Sequence, residues 1–86
     1  MTLQEAKARY ETNGGHYFEW FDFFGQELDD FYNEKHRTFI VICRNRYSVL
    51  GFTNDFCNTL GYGNRGGYAK REEAVKVANR PGKPKW

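Results

Sequence analysis

Residues 38–52 read TFIVICRNRYSVLGF, and this stretch decides the architecture. Thr38, Ile40 and Ile42 alternate with Phe39, Val41 and Cys43, so a strand here is non-charged on both faces. Such a strand sits centrally in a sheet and is covered from two sides. Arg44-Asn45-Arg46 breaks the run as a turn, and Tyr47 to Phe52 resumes it, which predicts an antiparallel hairpin.

Working outward, TNDFCNTLGYGNRGG at 53–67 predicts a third strand through Phe56 to Tyr62 and a glycine-rich turn at Gly63 to Gly67. Lys70 to Arg80 has Ala74, Val77 and Ala78 at helical spacing, and Pro81-Gly82 ends it. Lys70 stands where a Ser or Thr cap would be expected. At the other end, Thr2-x-x-Glu5 has the form of a capping box for a helix through Tyr10. Leu3, Ala6 and Tyr10 share its apolar face, and Asn13-Gly14-Gly15 stops it.

Between these parts lies HYFEWFDFF, residues 16–24. A strand would place charge on both faces. A helix gathers Tyr17, Trp20, Phe21, Phe24, Leu28, Phe31 and Tyr32 into one stripe opposite Glu19, Asp22, Gln26, Asp29 and Asp30. The helical reading is the better one. Gly25 is its weak point; the alternative is a first short helix ending there, with Gln26 to Tyr32 as a separate turn. Phe18 and Phe23 fall beside the stripe. The expected fold is α+β: a small antiparallel two- to three-stranded meander packed against N-terminal, aromatic and C-terminal helices. Residues 1–80 form a single compact domain, and 81–86 form a short basic tail.

Composition bounds the function. The chain has 86 residues, 40% hydrophobic and 28% charged, which is globular rather than disordered, with a high 19% aromatic content. No apolar run approaches the ~20 residues of a membrane span. MTLQEAKARYE lacks the apolar core of a secretory signal, so a cytoplasmic location without membrane partners is expected. Cys43 and Cys57 form no C-x-x-C pair and are expected as free, buried thiols in a reducing compartment. Residues 1–36 carry eight acids against three bases, and residues 37–86 carry ten bases against three acids. The halves can pair internally or show two faces to partners.

No motif announces catalysis. A P-loop, a G-x-G-x-x-G after a strand and H-E-x-x-H are all missing from the sequence. Asp29-Asp30 and Glu72-Glu73 are neighbours that diverge on a helix, so they are expected as solvated faces. His16, His36, Cys43 and Cys57 lack metal-ligand spacing. No enzyme activity, no catalytic residue, no metal and no cofactor is expected.

Two binding readings remain. Phe18, Trp20 and Phe23, rimmed by acids, have the composition of a protein-contact patch. A self-association face would look the same, so monomer and homodimer both stay open. The alternative is single-stranded DNA or RNA held by Arg44, Arg46, Arg65, Tyr68 and Lys70. Arginine neutralises phosphate and aromatic rings stack on bases.

The order of these parts resembles small uncharacterised proteins of bacteriophages. The residues that carry it are Gly15-His16-Tyr17-Phe18, Phe23-Phe24-Gly25-Gln26-Glu27-Leu28, the strands around Thr38 to Phe52, and Gly67-Tyr68-Ala69-Lys70-Arg71-Glu72-Glu73-Ala74. They cover most of residues 15–80. The resemblance implies a non-enzymatic accessory protein that binds and inhibits a host protein or complex, of the anti-defence or host-takeover type, in the host cytoplasm. It implies no cofactor.

Overall fold

A computed structural model describes residues 1–15 and 26–85. Along these the order is α1 (Leu3–Thr12), β1 (Glu27–Asn33), β2 (Thr38–Cys43), β3 (Arg46–Phe52), β4 (Thr59–Tyr62) and α2 (Arg71–Asn79). The chain is a small α+β fold. The four strands form one antiparallel sheet in the order β1-β2-β3-β4.

The strand read as central is central. Thr38, Phe39, Ile40 and Val41 are all buried, with successive side chains serving opposite cores. On one face Phe39, Val41, Leu50 and Phe52 pack with Ala6 and Tyr10 of α1. On the other, Ile40 and Val49 pack with Ala74 and Ala78 of α2. The Thr38 hydroxyl, fully buried, donates to the Ala78 carbonyl at 2.5 Å and so ties the end of α2 to β2. A polar group at such a position needs that partner.

Thr2 caps α1 through its hydroxyl, which accepts from Glu5 N at 3.2 Å. Asn13 closes the helix, and Gly14 follows at φ +98°, a left-handed conformation that glycine adopts without steric cost. Lys70 supplies no side-chain cap to α2; Glu72 and Glu73 are exposed in its first turn, where the helix dipole favours them.

Two expectations are corrected. The sheet has four strands rather than two or three, and α1 and α2 are its helices among the described residues. The stretch from Gln26 to Tyr32, read as the continuation of an aromatic helix, runs from Glu27 on as β1. Leu28 and Tyr32 join the α1-side core while Phe31 joins the α2-side core, so the three share no stripe. The physical reason is a register shift. Leu28 pairs with Val41 and Tyr32 with Phe39, so β1 spends two extra residues in a bulge. Asp29 lies in it, held by Arg71 of α2 rather than solvated. The first part of that proposed helix, residues 16–25, lies outside the described residues.

The basic tail is laid back on the sheet: Lys85 N donates to the Gly61 carbonyl at 2.8 Å. No helix among the described residues is long and apolar enough to cross a membrane.

Candidate functional site

The proposed protein contacts Phe18, Trp20 and Phe23 lie outside the described residues. Their flanks are placed. Gly15 is buried beneath the Tyr10 ring and donates its N–H to the Tyr10 carbonyl at 2.9 Å. Glu27 enters the sheet opposite Ile42, beside the β2–β3 turn. Asn13 Nδ2, two residues before Gly15, donates to the Asp55 carbonyl at 2.6 Å, at the opposite end of the sheet from that turn.

The alternative set, Arg44, Arg46, Arg65, Tyr68 and Lys70, is brought together at the β2–β3 turn end. Arg44 and Asn45 make a two-residue turn at φ 52° and 63°, the doubly left-handed form that matches strand twist. Beyond β4, residues 63–67 fold back. Tyr47 and Tyr68 exchange backbone hydrogen bonds of 2.8 and 2.7 Å. Gly67, at φ +78°, passes so close that a Cβ there would stand 2.9 Å from the Tyr47 carbonyl oxygen. Arg46 locks the junction: Nε donates to Gly66 O at 2.7 Å and Nη2 to Gly67 O at 2.9 Å.

Two members of the set are therefore structural. Arg46 spends its fork on backbone carbonyls. Tyr68 is half-buried in the α2-side core, and its hydroxyl accepts from Asn64 N at 3.0 Å. Its ring is no open stacking platform. Arg44, Arg65 and Lys70 are exposed, and no described residue forms an ion pair or hydrogen bond with their side chains. Arg71, next in chain, is neutralised by Asp29 through two hydrogen bonds of 3.0 Å.

The Asp29–Arg71 clasp was not signalled by any spacing in the sequence. Burial pushes the Asp29 carboxyl up. The Arg71 hydrogen bonds, the Phe31 N–H at 2.9 Å and the Arg71 charge outweigh this and hold it below the usual carboxylate range.

A second polar knot sits at the other end of the sheet, in the 53–58 loop. Asp55 Oδ1 accepts from the Thr53 hydroxyl at 2.6 Å and from Cys57 N at 3.0 Å. The Phe56 ring lies against Phe52, with the Arg9 guanidinium 5.8 Å from its centroid. Both cysteines are free thiols, half-buried rather than fully buried as expected. Burial, then the Asp55 charge, push the Cys57 thiol up, away from the thiolate that nucleophilic chemistry needs. Among the described residues, no three His, Cys, Asp or Glu come together as a metal site.

No protein-family model, no curated protein and no solved structure matches this chain.

Proposed function

We propose that the chain is a non-catalytic module that binds and inhibits a protein partner, a host protein or complex as the resemblance to phage proteins implies. Phe18, Trp20 and Phe23 would be the contacts. One observation supports this reading: each face of the sheet carries its own helix and its own rings. Tyr10, Tyr32, Phe39, Phe52 and Phe56 cluster on the α1 side, and Phe31, Tyr47, Tyr62 and Tyr68 on the α2 side. The sequence carries six further rings at 16–25. An aromatic patch left exposed on a domain of this size marks an interaction surface. The test pairs affinity capture with thermal melting for Phe18→Ala and Phe23→Ala. Capture lost at an unchanged melting temperature supports the reading. Melting lost together with capture makes those rings core and sinks it.

A second reading is favoured by the convergence of Arg44, Arg65 and Lys70, spread over 27 positions of sequence, at one end of the sheet. Three exposed cations there would hold a single-stranded nucleic acid by its phosphates. Each neutralised phosphate contributes about 0.7 to the slope of log affinity against log salt, so three give roughly 2. Oligonucleotide anisotropy from low to high salt measures it. A flat response excludes this reading.

A further inference from the structure

The two edges of the sheet are protected in different ways. An exposed edge invites strand addition, and charge, proline or a bulge discourages it. β1 carries Glu27, Asp29, Asp30 and the bulge between Leu28 and Tyr32. β4, Thr59-Leu60-Gly61-Tyr62, has neither charge nor proline, and its Leu60 is the exposed large hydrophobic residue among the described residues, at 37%.

The direction of the β4 backbone follows from its neighbours. Tyr47 turns its N–H and C=O toward Tyr68, on the β4 side of β3. Val49 and Gly51 have the same parity, so their partners Tyr62 and Leu60 bond inward. Thr59 and Gly61 therefore point their backbone groups away from the sheet. The bond from Lys85 N to Gly61 O fits that direction, and Gly61 is buried although it belongs to an edge strand.

We propose that residues 81–85 are a displaceable strap over the outer edge of β4, and that the uncovered edge pairs with β4 of a second copy of this chain. The strap is a weak cover. Pro81 and Pro84 have no N–H to donate, and the hydrogen bond from Lys85 is the one that joins the strap to β4 among the described residues. Gly82, at φ +64°, gives it a bend just after α2. The occupant follows from the edge itself. About a twofold axis at Gly61, the N–H and C=O of one copy meet the C=O and N–H of the other, and Thr59 faces Gly63. The pair is isologous and closes on itself. Glycine at the axis leaves no side chain to clash, and no charge in Thr59–Tyr62 meets its like across the axis.

Sedimentation velocity tests this on the full chain, on a chain ending at Arg80 and on Lys85→Pro, which removes the donor of that bond. Both altered chains should dimerise about tenfold more tightly than the full chain, the size expected for one net backbone hydrogen bond. Adding Leu60→Lys should return either to the monomer by placing charge on the edge. Altered chains that keep the native circular dichroism spectrum and the association constant of the full chain overturn the strap. A dimer that survives Leu60→Lys overturns β4 as the surface. Should the shortened chain fail to fold, Lys85→Pro alone decides.

Discussion

The hydroxyl of Tyr32 is buried and has no hydrogen-bond partner among the described residues. Burial pushes its ionisation up, with Arg37, Glu34 and Arg9 as smaller influences. A buried polar group left unsatisfied costs about 1–3 kcal/mol. Tyr32→Phe keeps the ring against Phe52, 6.3 Å between centroids, and removes only the orphan oxygen. It should raise stability by about 1 kcal/mol in urea denaturation; a loss of stability would mean that the hydroxyl has a use. The two arginines of the β2–β3 turn should part company in the same way. Arg46→Lys gives up a planar fork that a lysine cannot reproduce, and should cost about 1 kcal/mol. Arg44→Asn replaces a side chain at φ 52° with one that tolerates the left-handed region, and should add a few tenths of a kcal/mol, about 0.5. Equal losses at both positions would refute the division of labour drawn between them.

At the scale of the element, β1 is the part that hid itself. Its apolar residues, Leu28, Phe31 and Tyr32, have helical spacing because Asp29 and Asp30 stand between them. In the sheet those acids belong to the bulge, and Phe31 and Tyr32 serve opposite cores. A period-two pattern that carries two surplus polar residues looks like a period of 3.6. β2, β3, α1 and α2 were legible because propensity, caps and alternation agree there with the final packing. The site was less legible. Arg46 and Tyr68 look like ligands in sequence, and only the Tyr47–Tyr68 bridge, across 21 positions, turns them into braces. The same bulge yields a pH prediction. Asp29 has a depressed folded ionisation, so its stabilisation is present above the ordinary carboxylate range, near 3.8, and fades as pH falls through the lower folded value. Its side chain is 12% exposed but that of Arg71 is 49% exposed, so solvent discounts the pair. Asp29→Asn should cost about 1 kcal/mol at neutral pH, and the cost should shrink as pH is lowered below the ordinary carboxylate range. A cost that does not shrink on acidification would assign the effect to packing instead of charge.

For the whole molecule, the decisive property is that one sheet is the wall of both cores. Phe39 and Leu50 face α1 while Ile40 and Val49, their immediate neighbours on the same strands, face α2. Withdrawing β2 or β3 opens both layers at once, so α1 and α2 are coupled although they sit on opposite faces. The side-to-backbone bond from Thr38 to Ala78 adds to that coupling on the α2 side, and the Asn33–Asn79 bond of 2.8 Å joins β1 to the last turn of α2. The fold should therefore melt as one unit. Ile40→Val trims one methylene from the α2 core and should cost about 1 kcal/mol, or roughly 4–8 °C in melting temperature for a domain of this size. Phe39→Leu trims the α1 core by a similar order. Native-state hydrogen exchange provides the sharper measurement. In a single cooperative unit, each substitution lowers the protection of the slowest amides in α1 and α2 by the same factor, whichever face it touches. If Phe39→Leu weakens α1 and leaves α2 protected, the two layers open separately, and the sheet does not couple them.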